Sequence, residues 1–178
     1  MTDDVLTVVE ISVDPLTALD RADVVARWLL ATGVVVVNPA RDERQQPSAL
    51  RAGPAVREAA PAWRDSDDAA ANNGVDVLAE RTLFHPTEAY VPPHCPSCGH
   101  PLGEERHHEL LQPWLDGTEP AVTCAGCGTT RPLGDWPGSY LVGELAVRFN
   151  NWPPLSETFL AELGARLGPR WRLVHERY

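Results

Sequence analysis

Apolar positions fall into two blocks of similar plan at the two ends of the chain. Val5 to Val13 (VLTVVEISV) is rich in β-branched residues and stops at Asp14-Pro15, which predicts a strand. A helix is expected over roughly 20–31, with Asp20 or Thr17 as N-cap and Gly33 just past its end. Val24, Val25, Trp28 and Leu29 make its apolar face, and Val34 to Val37 then read as a fully apolar strand ended by Asn38-Pro39. In the second block, Tyr140 to Phe149 (YLVGELAVRF) alternates as a strand and Asn151-Trp152-Pro153-Pro154 forms a rigid turn. Ser156 is a good N-cap, Phe159, Leu160, Leu163 and Leu167 give a helix stripe, and Gly168-Pro169 closes it. Trp171 to Val174 completes a last strand.

Strand–helix–strand therefore occurs twice, with a long middle region between the copies. Two such units side by side make a four-stranded antiparallel sheet with both helices on one face. The expected class is α+β, a ferredoxin-like split βαβ sheet with a zinc-ribbon insert between its halves. Strands near 5–13, 34–38, 141–149 and 171–175 should share that sheet. The alternative is two units that never join. Residues 1–39 and 139–178 would form the α/β sandwich, 40–90 a linker and cap, and 91–138 the zinc ribbon.

The middle is less regular. Residues 40–72 are rich in Ala, Pro, Asp and Arg, with a short helix expected near Ala55 to Ala60. Val75 to Phe84 reads as a strand entering the next module. There the chain carries two matching knuckles, Cys95-Pro96-Ser97-Cys98-Gly99 and Cys124-Ala125-Gly126-Cys127-Gly128, which use all four cysteines. A C-x2-C pair puts two thiolates on one tight turn, and the glycine after it permits a left-handed residue. Two facing knuckles supply the four sulfur ligands of a tetrahedral Zn2+, held by Cys95, Cys98, Cys124 and Cys127. The same four thiolates can also hold iron in a rubredoxin-like site. Val122-Thr123 should lead into the second knuckle and Thr129 to Arg131 out of it, as a ribbon hairpin; a polar helix-like stretch lies around Glu104 to Leu111.

The chain starts Met1-Thr2-Asp3-Asp4 without a basic region, and its longest apolar runs are far short of the roughly 18 residues that span a bilayer. A cytoplasmic protein is the expectation, and in that compartment paired C-x2-C motifs favour metal over disulfide. The formal net charge is −10. Four thiolates on one Zn2+ would make it more negative still, which opposes non-specific nucleic-acid binding and docking on anionic membranes. All 15 basic residues are Arg, which fits the codon usage of a GC-rich genome.

The segment GVDVLAERTLFHP at 74–86, the two knuckles, Asp135-Trp136 and FNNWPPL at 149–155 together resemble one family. It is an uncharacterised set of small, mainly actinobacterial proteins with a zinc-ribbon insert before a turn of NWPPL type, a helix and a strand. The resemblance covers roughly 72–178, with Asn150 where an aromatic residue is expected. It implies the architecture and no activity.

Histidines offer the obvious catalytic alternative. His94 and His100 flank the first knuckle and His107-His108-Glu109 lies in the spacer, yet four cysteines already saturate zinc, so solvated loop residues are expected. His108-Glu109-Leu110-Leu111-Gln112 lacks the second histidine of a zincin helix, and no phosphate-binding loop, dinucleotide fingerprint or nucleophile elbow is present. Asp65-Ser66-Asp67-Asp68 lacks the glycine and distal glutamate of a calcium loop. Trp63, Trp114 and Trp136 in the irregular middle are candidate interface anchors or core residues, and Trp152 is expected to pin its turn against the zinc module. With no catalytic motif and a closed metal site, a non-enzymatic module that binds a basic protein partner is the leading expectation. A nucleic-acid-binding ribbon is the second, with Arg166, Arg170, Arg172 and Arg177 as its only basic cluster; an enzyme with a site at the ribbon–sheet junction is the third.

Overall fold

The computed structural model describes residues 4–41, 47–67, 72–86, 90–138 and 140–177. Elements are numbered in chain order. β1 (Asp4–Glu10), β2 (Val35–Val37), β3 (Leu50–Ala52), β4 (Gly74–Leu78), β9 (Leu145–Asn150) and β10 (Trp171–Arg177) form one six-stranded sheet. Its order is β10-β1-β9-β4-β3-β2, and every neighbouring pair is antiparallel. α1 (Pro15–Ala31), α2 (Val56–Ala59) and α4 (Glu157–Leu167) cover one face of the sheet. The other face carries α3 (Glu104–Leu115) and two small two-stranded sheets, β5 (Thr82–Phe84) with β8 (Leu141–Gly143) and β6 (Ala121–Thr123) with β7 (Thr130–Pro132).

The near-continuous apolar run of β1 follows from this two-sided burial. Val8 packs with Val147, Phe149 and Val75 against Val25, Leu29, Phe159 and Leu163 of the helices. Its neighbour Val9 points the other way and packs with Ala146 and Val174 against Trp114, Leu133 and Trp136. Both valines are fully buried, each stabilising the fold by about 1.5–3 kcal/mol. On the helix side Trp28 stacks on Phe159 with ring centroids 5.6 Å apart. Arg21 of α1 donates to the Leu167 carbonyl oxygen at 3.0 Å, where the C-terminus of α4 favours a cation.

The sequence expectations are corrected in four places. The α1 helix starts at Pro15 instead of near residue 20. Asp14 is its N-cap, accepting from the Leu16 N–H at 2.8 Å, and Pro15 occupies the first turn, where a missing N–H has no cost. Consequently Ala18, Ala22, Val25 and Leu29 are its buried stripe, while Val24 is exposed. Second, the four expected strands do share one antiparallel sheet, but it has six strands and the one at 34–38 is not next to β9. That place next to β9 belongs to β4, and β2 sits at the far edge with Val37 65% exposed. β4 has five residues that pair with β9 throughout, whereas β2 has three before Asn38-Pro39 ends it.

Third, the segments 75–84 and 140–149 are each two strands. Ala79 to Arg81 separates β4 from β5, and the buried, ion-paired Glu144 separates β8 from β9, so one half of each segment joins the small sheet. Fourth, residues 47–67 contribute to the core: Leu50, Val56, Ala59, Ala60 and Trp63 are all buried in the helix-side cluster. Trp152 joins them, 5.0 Å from Trp63 and 5.3 Å from Phe149 between ring centroids, on the face away from the four-cysteine segment.

Candidate metal centre

The four cysteine sulfurs meet. All lie within 4.8 Å of one another, with Cys95 and Cys127 3.7 Å apart and Cys98 and Cys124 3.6 Å apart. A tetrahedral ion with Zn–S bonds of about 2.3 Å needs sulfurs about 3.8 Å apart, so donor set and spacing both fit. Local backbone chemistry builds the two knuckles in the same way. Gly99 N–H donates to the Cys95 carbonyl oxygen at 2.8 Å, and Gly128 N–H to that of Cys124 at 2.9 Å. Both glycines have φ of 73°, the left-handed conformation a side chain would resist. The amides of Ser97 and Gly126 point at the sulfurs of Cys95 and Cys124, at 3.4 and 3.3 Å.

Four thiols this close compete for charge. Cys127 is held down to about 6, first by the Thr129 hydroxyl and then by its backbone amide. At Cys98 the His100 backbone lowers the pKa, but burial and the neighbouring thiols outweigh it and push the thiol up to about 12. Four sulfurs so close ionise together only around a metal ion, which binds thiolates and releases their protons. The first cysteine of each knuckle is buried and the second exposed, so the site lies at the edge of the module with Cys95 and Cys124 anchored in its core.

That core is the second face of the main sheet. Leu110 and Trp114 of α3, Val122 of β6 and Leu133 pack with Ile11, Val9 and Val174. Gly134 makes the closest approach: a Cβ there would meet the Ile11 side chain at 2.3 Å. Two arginine clasps fix the module to the sheet. Arg170, just before β10, donates to Glu119 at 2.7 and 2.8 Å and to Asp135 at 2.8 Å. The carboxylates hold its guanidinium pKa above the ordinary value, Glu119 most strongly. Its backbone N–H donates at 2.9 Å to the fully buried Glu10, which also accepts from Ser12 N–H at 2.9 Å. Arg81 pairs with the buried Glu144 and donates to the carbonyl oxygens of Trp114 and Leu115 at 3.0 and 2.9 Å, capping the C-terminus of α3.

Other candidate residues are placed as follows. His94 and His100 are exposed beside the first knuckle, as a solvated-loop reading expects. His107 is the correction: it lies in α3 and is fully buried, because helical spacing puts it on the same face as Leu110, Leu111 and Trp114. Tyr90 OH lies 3.1 Å from His107 Nδ1, and the Tyr90 and Tyr140 rings pack on it at 6.0 and 5.3 Å. Its Nε2 is buried with no hydrogen-bond partner among the described residues. Trp63, Trp114 and Trp136 are all buried, so none is an exposed interface anchor. Asp65 and Asp67 pair with Arg57 and Arg64 instead of forming a cation loop. Asp68, Ser139 and the Arg177 side chain lie outside the described residues.

Burial, and next the charge of His108, hold the His107 pKa down to about 4 from 6.5. The unfolded chain therefore binds a proton that the folded chain refuses as pH falls from about 6.5 toward about 4. This contribution is fully present above about pH 6.5 and lost progressively below it, by about 3 kcal/mol in all. His107→Phe should show a smaller loss of stability between pH 7 and about 4.5 than the parent, by about 2 kcal/mol in urea unfolding. Equal losses in the two proteins would refute the assignment.

No protein-family model, no curated protein and no solved structure matches this chain.

Proposed function

We propose that this chain is a zinc-stapled, non-enzymatic protein-binding module of the cytoplasm, an adaptor or neutralising (immunity-type) partner of a basic protein. The proposed scaffold is the ferredoxin-like split βαβ sheet. The order β10-β1-β9-β4, with α1 and α4 on one face and α4 linking β9 to β10, supports that reading; α1 leads from β1 to β2 at the far edge, and β2 and β3 precede β4 in the chain. Membership of the actinobacterial zinc-ribbon family is part of the same proposal.

The observation that carries the reading is the fate of the arginines. The sequence clusters its basic residues near the C-terminus, and the described ones there, Arg166, Arg170 and Arg172, are engaged within the chain. Arg170 and Arg172 face Asp135, and Arg166 donates to the Glu162 carbonyl oxygen and lies over the Trp28 ring. A phosphate backbone needs free cations, whereas 25 acidic residues against 15 arginines leave a surplus that attracts a basic surface. The closed four-sulfur site leaves zinc no position for a substrate or an activated water. His107, with its lowered pKa, is fully buried and has no access to a substrate.

Labelled DNA and RNA should show no binding tighter than about 10 µM at roughly 150 mM salt. Affinity capture from the native host should return a protein of basic pI, with an association rate that falls as salt rises. Sub-micromolar, sequence-selective binding of a nucleic acid would sink the proposal.

A further inference from the structure

The sheet has an opening beside β4. Along its whole length β4 pairs with β9, but on its other side only Val75 is paired, with Leu50 of β3. The preceding residue, Ala49, gives its N–H to the Asp76 side chain at 2.9 Å, so the two strands part at that point. Residues 77–79 consequently have no strand partner on that side among the described residues. Across the gap stands α1, whose facing residues Ala22 and Ala26 are too small to fill it. A groove of ≈ 470 Å³ results, floored by Leu50 and Val77. Leu19 stands at its wall 70% exposed.

Its chemistry is one-sided. Among the described residues, Asp23 and Glu80 are the ionisable ones that line it, and no arginine or histidine does. We infer that this groove is the docking site for the partner, which adds an extended segment along the free edge of β4, with apolar side chains at alternate positions and arginine or lysine between them. The inference rests on the protein-binding reading above and gives it a location. A strand added to an open edge gains backbone hydrogen bonds, and its alternate side chains drop into the apolar floor. The intervening cations meet Asp23 and Glu80. Charge decides the occupant: a second copy of this chain would bring a net charge of −10 to an acid-rimmed groove, and a nucleic acid would be repelled in the same way.

The test uses the intact, metal-loaded protein and a fluorescein-labelled peptide of about nine residues alternating Val and Arg, with a Val–Glu peptide as control. The Val–Arg peptide should bind and the Val–Glu peptide should not, with affinity falling about tenfold between roughly 50 and 300 mM salt. Amide resonances of 77–79 should shift on binding. Two variants probe the site. D23R/E80R reverses the rim on exposed positions, and Ala26→Phe fills the groove; each should weaken binding at least about tenfold while metal content and melting temperature stay unchanged. Three results would overturn the groove. One is undiminished binding by D23R/E80R with shifts elsewhere, which would leave the protein-binding reading intact. Another is no binding of the Val–Arg peptide, after which that reading stands or falls on capture from the host. The third is slow amide exchange at 77–79 in the free protein, which would mean that its own chain fills the edge.

Discussion

Cys124→Ser is expected to abolish metal retention and to unfold residues 91–138. Cys124 is buried, its N–H donates to the Thr129 carbonyl oxygen at 2.9 Å, and it belongs to the cluster under the second face of the sheet. Formation of such a site is coupled to folding, and structural zinc contributes about 10–16 kcal/mol at neutral pH in small zinc domains. The module has little else to hold its tip: β6 and β7 have three residues each. Elemental analysis should give less than about half a metal per chain, and amide spectra should show 91–138 collapsed to unfolded positions. The helix-side core, with Val8, Phe149, Phe159 and Leu163, makes no use of the cysteines and should keep its spectrum. Full metal content and an unchanged module in this variant would contradict the account.

Arg170→Met should be the second most damaging change, at about 3 kcal/mol, because it removes the centre of a largely shielded charge network. Arg170 and Glu119 are 25% and 20% exposed, and the substitution leaves Glu119 beside Asp135 without its cation, while Asp135 keeps Arg172 at 3.5 Å. Glu119 also accepts the Gly134 N–H at 2.9 Å, so its displacement reaches the point where the module touches Ile11. The expected signature separates this from loss of metal. Stability and resistance to proteolysis between about 84 and 141 should fall, while metal content stays at one per chain. Loss of metal together with stability would show that the clasp and the ion act as one unit.

What was legible in the sequence was local. Each knuckle is a five-residue turn whose spacing and glycine carry its geometry, and the structure brings together the four sulfurs that the spacing names. The α4 helix is equally local: Ser156 accepts from Phe159 N–H at 3.2 Å, and Gly168 closes the helix. Most of the corrections are non-local. Both β2 and β4 are short apolar segments, and which of them lies beside β9 is settled by long-range packing, which periodicity does not encode. One correction is local: Asp14-Pro15 suits the end of a strand, but the same dipeptide caps a helix. The Arg170 clasp joins residues 51 and 35 positions apart, and no spacing rule announces it. His107 did leave a signal: it stands three residues before Leu110 and seven before Trp114, on the buried face of an otherwise polar helix.

The most direct test of the metal centre is X-ray absorption at the zinc edge on protein purified without chelators. The account predicts one zinc per chain with four sulfur scatterers at about 2.3 Å and no nitrogen or oxygen in the coordination shell. Fewer than four sulfurs, or any light-atom ligand from a histidine or water, would contradict it.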